Sequence, residues 1–137
     1  MIDRTEAIIG THIRIAVNSN DPKAASAVEA AFDEVRTIER RFSRFIDNNE
    51  LSQLNASIGQ WVRVAPDLHA ILRYGKELEN LTDGAFSLGV KGILESWGYN
   101  IRYELAREYA RTEAVGYDLD DKGVCLRGPI EIGALGK

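Results

Sequence analysis

Gly10-Thr-His-Ile-Arg-Ile-Ala-Val17, the turn Asn18-Ser-Asn-Asp-Pro22 and the run from Lys23 to Phe42 decide how this chain folds. In the first stretch Ile13, Ile15 and Val17 alternate with Arg14 and Ala16, the two-residue period of a strand with one buried face. Asp21 is a natural helix cap and Pro22 is pre-set for the first helical position, where its missing N–H costs nothing. A long helix is expected to follow, with Val28, Ala31, Phe32, Val35, Ile38 and Phe42 at three- and four-residue steps. Glu29, Asp33, Glu34, Arg36, Arg40 and Arg41 occupy its other face.

Outward from that unit the pattern continues to alternate. Trp61-Val-Arg-Val64 reads as a short strand, and Pro66-Asp67 opens a second helix whose apolar stripe is Leu68, Ile71, Leu72, Leu78 and Leu81. Thr82-Asp-Gly84 stops it. Tyr103 to Glu113 reads as a weaker third helix, and Gly116 to Leu126 as two strands joined by the turn Asp120-Asp-Lys-Gly123. A last strand, Ile130-Glu-Ile132, runs into Gly133-Ala-Leu-Gly-Lys137. The expected class is α+β, a mostly antiparallel sheet packed by two main helices, with residues 1–137 in a single domain.

The 137 residues, 45% hydrophobic and 28% charged, suit one globular core. A formal charge of -4 leaves no basic footprint for duplex DNA, so nucleic acid is not an expected partner. Cys125 has no second cysteine to pair with and sits in a strand pattern, where it reads as a small buried hydrophobe. The N-terminus has no apolar run of signal-peptide length, no lipid-attachment cysteine lies near it, and no segment approaches the ~20 apolar residues of a membrane span. As written, the chain reads as soluble and cytoplasmic.

Glycines directly after an apolar strand let backbone N–H groups approach an anion, although a frayed terminal loop explains Gly133 to Lys137 as well. His12 and His69 each lack a second ligand at metal spacing and are given no metal role. Trp61 and Trp97 read as packing residues, with Trp97 also placed to border a cleft. The cluster Arg36, Arg40, Arg41 and Arg44, interleaved with Glu34 and Glu39, reads as a salt-bridged helix face more readily than as a phosphate site.

Several short stretches in one order carry a family resemblance: Gly10-Thr11, Phe42-Ser-Arg-Phe45, Glu50-Leu-Ser-Gln-Leu-Asn55, Thr82-Asp-Gly-Ala-Phe86, Trp97-Gly-Tyr99 and Ile130-Glu-Ile-Gly-Ala-Leu-Gly-Lys137. Together they resemble the N-terminal portion of the ApbE family of FAD:protein FMN transferases. The resemblance implies FAD as substrate, Mg²⁺ assistance, release of AMP and attachment of FMN to a threonine or serine hydroxyl of an acceptor protein. It also implies that the fold is incomplete at its C-terminus.

By the same resemblance Ile9 stands at a flavin-contacting position often held by methionine, and Phe45 where an aromatic residue lines the cofactor; either residue also fits a core. Ala85, Phe86 and Ser87 match a Gly-Ala-Phe-Asp flavin loop, with Ser87 in place of the acid and Leu88-Gly89 departing from the usual continuation. Glu131 replaces an aspartate, Ala134 falls where a backbone carbonyl binds Mg²⁺, and Lys137 where a lysine contacts the cofactor. The family's further aspartate and threonine, in an Ala-Asp-Ala-x-Ser-Thr-like segment, have no counterpart here. Two functions are therefore carried forward. One is part of an Mg²⁺-dependent flavin transferase, completed by a segment or chain supplying the C-terminal half. The other is a flavin-binding or interaction module without catalysis. A homo-oligomer formed through an exposed sheet edge is a further expectation.

Overall fold

A hairpin comes first. Strand β1 (Ile2–Ile8) pairs antiparallel with β2 (Thr11–Val17), in register from Ile2 opposite Val17 to Ile8 opposite Thr11. The strand over Gly10 to Val17 is thus found, but it is the second strand and not the first. The reason β1 escapes periodicity lies in its inner face. Arg4 and Glu6 share that face with Ile2 and Ile8, and both turn toward helix α1 (Ala24–Phe42). Arg4 pairs with Glu29, Arg36 bonds Glu6, and the Arg4 guanidinium lies 5.2 Å from the centre of the Phe32 ring. Charged heads with long stems here cover the same aromatic surface that an aliphatic residue would cover. Beneath them Ile8, Val28 and Phe32 form a small core, each contributing about 1.5–3 kcal/mol by burial.

The computed structural model describes residues 1–97 and 113–133. The expected third helix over 103–113 lies almost wholly outside them. Helix α1 begins two residues beyond Pro22, because Asp21 closes a turn before it: its carboxylate accepts from the Lys23 N–H at 2.8 Å and its carbonyl from Ala24 at 3.0 Å. Val28, Phe32 and Phe42 are buried along α1, whereas Ala31 and Ile38 are exposed.

After α1 a short helix α2 (Glu50–Ala56) is capped by Asn49, whose Oδ1 accepts from the Ser52 N–H at 2.8 Å while its amide donates to the Ser43 carbonyl at 2.7 Å. Strand β3 (Trp61–Arg63) and helix α3 (Pro66–Leu81) fall where the sequence places them. The buried stripe of α3 is Leu68, Leu72 and Gly75, while Leu81, expected in it, is 80% exposed at the last turn. Gly75 takes part because Leu88 and Tyr117 lie against it: a Cβ there would stand 2.5 Å from Leu88 Cδ1. Thr82-Asp-Gly84 ends α3 with the Gly84 N–H on the Glu79 carbonyl at 2.9 Å and Asp83 in the left-handed region at φ 50°. Helix α4 (Lys91–Ser96) follows.

Strands β4 (Tyr117–Leu119) and β5 (Gly123–Leu126) complete an antiparallel sheet of order β3-β5-β4. Asp120 makes their turn by accepting from the Lys122 and Gly123 N–H groups, which hold its carboxyl below the ordinary range. One face of the sheet, with Val62, Leu119, Val124 and Leu126, packs on Leu51, Leu54, Leu68 and Leu72. Trp61 and half-buried Cys125 lie opposite each other on the other face, and Trp61, expected as packing, is 57% exposed. The architecture is α+β with antiparallel sheets, as expected. Ile130-Glu-Ile132 departs from expectation: it is buried but joins no ladder among the described residues. Pro129 before it supplies no N–H, and its own backbone groups are taken by a side chain and a loop.

Candidate functional site

The segment Ile130 to Gly133 is where the distant motifs meet. Asn55, near the end of α2, receives the Ile130 N–H on Oδ1 at 2.8 Å and donates Nδ2 to the Ile130 carbonyl at 3.0 Å. The Glu131 N–H donates to the Leu88 carbonyl at 2.8 Å, joining the segment to the loop that follows α3. The Glu131 carboxylate is engaged through both oxygens. Oε1 accepts from the Gly133 N–H at 2.7 Å, and Oε2 pairs with Arg44 Nε at 2.8 Å. Arg44 and Glu131 keep only 5% and 11% of their side-chain surfaces exposed. Arg44 therefore does not belong to the solvated helix face expected for the arginine cluster, although Arg36 and Arg41 do, paired with Glu29 and Asp33, and with Glu50 and Asp67.

The Arg44 guanidinium also lies 4.3 Å from the centre of the Phe45 ring, close enough for a cation–π contact. Phe45 remains 37% exposed at the helix exit. Ile9 sits at the hairpin tip. With Gly10 it forms a two-residue turn, both at positive φ (51° and 69°), the geometry that joins strands of right-handed twist. A β-branched residue pays about 1–2 kcal/mol in that region. Its N–H donates to Glu39 Oε1 at 2.9 Å, which fixes the tip to α1, and its side chain packs on the Val28–Phe32 core.

In the loop after α3, Ala85 is exposed and Phe86 is half-buried against the main core, with the Phe86 N–H on Thr82 Oγ1 at 2.9 Å. Ser87 is only 8% exposed. Its hydroxyl donates to Glu79 at 2.8 Å and accepts from the Gly89 N–H at 3.1 Å, so it serves the loop's own geometry. Glu79 is the carboxylate of this region. Burial raises its pKa, but Lys76 at 2.8 Å and Ser87 outweigh burial and hold the group below the ordinary range. Tyr117 is pushed up by burial and by the nearby Glu79 charge, and donates its hydroxyl to the Leu72 carbonyl at 2.7 Å.

Of the sequence candidates, the structure thus brings Phe45, Ser87 and Glu131 into one connected set through Arg44 and Leu88, with Ile9 tied to the same helix α1. Ala134 and Lys137 lie outside the described residues, as does the second half of Trp97-Gly-Tyr99. His12 is exposed, and His69 bonds the Asp120 carbonyl through Nε2 at 2.8 Å. A shallow depression lined by Arg63, Asp120, Asp121 and Lys122 contains none of the candidates. Among the described residues no group of three or more His, Cys, Asp or Glu is placed to hold a metal ion, and no helix is long and apolar enough to cross a membrane. Sequence reasoning gave Asn55 and Glu79 no role and read Arg44 as part of a salt-bridged helix face. Asn55 and Arg44 each lay inside a recognised motif, and what they bind is visible only once Ile130 and Glu131 are folded back on them.

Three separated motifs thus clamp one glycine-bearing segment. The family model for ApbE matches residues 9–124, and the chain belongs to the ApbE family. Its fold is that of an ApbE protein from Thermotoga maritima, with TM-score 0.86 and 24% identity over 98% of this chain and 48% of that one. It is likewise similar to the apo form of the flavinyl transferase ApbE from Pseudomonas stutzeri, at TM-score 0.82 and 17% identity over 97% of this chain and 49% of that one. For the flavin transferase ApbE from Vibrio cholerae the values are TM-score 0.79 and 14% identity over 99% and 49%. The chain spans about half the length of these structures. No curated protein sequence matches it.

Proposed function

We propose that this chain forms the flavin-side part of an FAD:protein FMN transferase, which moves FMN from FAD to a threonine or serine hydroxyl of an acceptor protein and releases AMP. The observation that supports this reading best is the clamp at Ile130–Gly133, which joins Arg44 and Phe45, Asn55, and the loop carrying Phe86 to one segment. Exposed Phe45 offers an aromatic surface to an isoalloxazine ring, and Ala85 and Phe86 border it from the loop after α3 in this reading. In such a reaction a hydroxyl attacks phosphorus while positioned donors and a cation neutralise the phosphate oxygens.

The described residues do not themselves fit a magnesium ion. Mg²⁺ takes oxygen ligands and nearly always a carboxylate, whereas Glu131 is committed to Arg44 and Gly133, and Glu79 to Lys76 and Ser87. The proposal therefore assigns the metal's carboxylates to residues outside those described, on this chain or on a segment that completes it. The second reading, a flavin-binding module without catalysis, is favoured by the same engaged carboxylates and by the burial of Ser87.

A fluorescence titration of the chain with FAD, with and without Mg²⁺, followed by AMP detection, tests the proposal. FAD binding with AMP release establishes a working site. Binding without AMP supports the flavin platform and the second reading. Absence of FAD binding under both conditions would falsify the flavin assignment.

A further inference from the structure

The geometry points to Arg44 as a positioning residue for the flavin cleft: acting through Glu131, it fixes the orientation of the Gly133 backbone against the Phe45 ring. The inference rests on the flavin reading above and adds to it a residue that neither motif matching nor family membership assigns to this task.

Arg44 and Glu131 are buried and bonded at 2.8 Å, yet a buried ion pair is weak evidence for stability. Removing two charges from water costs about as much as their attraction returns, and apolar replacements of similar volume often fold as well or better. The pair therefore needs an explanation beyond cohesion, and its placement supplies one. Glu131 Oε2 lies 2.8 Å from Arg44 Nε while Oε1 holds the Gly133 N–H at 2.7 Å, so the guanidinium charge holds in place a carboxylate that in turn sets a backbone amide. The same guanidinium stacks over Phe45 at 4.3 Å. One planar cation thus registers the exposed aromatic against the glycine-bearing segment. Asn55 and Leu88 hold Ile130 and the Glu131 N–H from other directions, and among the described residues the Gly133 N–H is held by Glu131. Two methionines would fill the space, but no apolar side chain can accept from the Gly133 N–H.

The test is the double variant Arg44→Met/Glu131→Met in the full chain, with thermal unfolding, FAD fluorescence titration and amide exchange at Gly133 read on the same samples. The expected result is a melting temperature close to that of the unsubstituted chain, Gly133 exchange at least about tenfold faster, and FAD affinity weakened about tenfold or more. A folded double variant that binds FAD as tightly as the original, or exchanges Gly133 at the same rate, overturns the inference while leaving the flavin proposal intact. Should the double variant fail to fold, Arg44→Lys decides. It keeps a charge for Glu131, but an ammonium does not stack on the Phe45 ring as a guanidinium does, so FAD affinity should fall about threefold or more. Unchanged affinity in that variant overturns the inference. If the unsubstituted chain binds no FAD, the flavin proposal fails, and Gly133 exchange in the variants still decides whether Arg44 orders the segment.

Discussion

Asn55→Ala is the substitution whose cost the structure sets most directly. Ile130 is 0% exposed, and both its backbone groups are satisfied by the Asn55 amide, at 2.8 Å and 3.0 Å. Alanine deletes both partners and leaves a buried donor and a buried acceptor, each costing about 1–3 kcal/mol when nothing replaces the bond. Asn55 is itself half-buried, so water can reach part of the space it vacates, and the expected net loss is about 2–4 kcal/mol. That is a large share of a total of about 5–15 kcal/mol. Equilibrium urea unfolding, followed by the fluorescence of Trp61 and Trp97 and by circular dichroism, measures it. Gln53→Ala is the control on the same helix, because its exposed amide only reaches the Asn48 carbonyl at 3.2 Å, and it should change stability by less than about 0.5 kcal/mol. An Asn55→Ala loss no larger than that of the control refutes the clamp as an energetic element.

Three further outcomes are expected. Glu79 is held below the ordinary carboxylate range in the fold, so its contribution to stability is complete above the unfolded value near 4.5 and disappears as pH falls through the folded value. The stability gap between Glu79→Gln and the original chain should therefore be widest at neutral pH and close on acidification below 4.5; a gap constant from pH 7 to pH 3 contradicts the assignment. Ile9→Asn relieves a strained φ of 51° worth about 1–2 kcal/mol but gives up a comparable amount of side-chain burial. Its melting temperature should stay within a few degrees while FAD affinity drops, and a drop in neither speaks against flavin contact at this position. Gly75→Ala places a methyl 2.5 Å from Leu88 Cδ1 within a close-packed region, so the helix-propensity gain of about 1 kcal/mol is exceeded by an overpacking cost of about 1–3 kcal/mol. Thermal unfolding should show a net loss, and a gain would mean that Leu88 yields more easily than its burial implies.

Helix α1, helix α3 and the β4–β5 hairpin were legible because their signals are local: apolar spacing, Pro66 at a helix start, Asp120 and Gly123 at a turn. Strand β1 was not, since its inward positions include Arg4 and Glu6, whose placement depends on partners about 25 to 30 residues away on α1. Ile130-Glu-Ile132 has the composition of a strand, yet its hydrogen bonds go to Asn55 and Leu88, a choice no window of neighbouring residues can reveal. For the site, motif order supplied Phe45, Phe86 and Glu131, while the partners that orient them came from folding. Ser87 shows the difference most sharply. As a sequence position it is a missing acid, and in the fold its hydroxyl is bonded to an acid, Glu79, contributed by the preceding helix.

The pattern of engaged carboxylates carries the last step. Glu39 receives the Ile9 N–H, Glu79 receives Lys76 and Ser87, and Glu131 receives Arg44 and the Gly133 N–H. Each of these acids already stabilises an element at or near the proposed cleft: the hairpin tip, the loop after α3, the glycine-bearing segment. A carboxylate so placed would serve a divalent cation in competition with what it holds, and for Glu131 that means placing the metal beside the buried Arg44 guanidinium of like charge. Under the proposed function these three carboxylates are suited to building the surface that would receive a flavin, and poorly suited to binding a cation at its phosphates. On that proposal the two tasks fall to different residues, and a metal's carboxylate ligands would come from beyond the clamp.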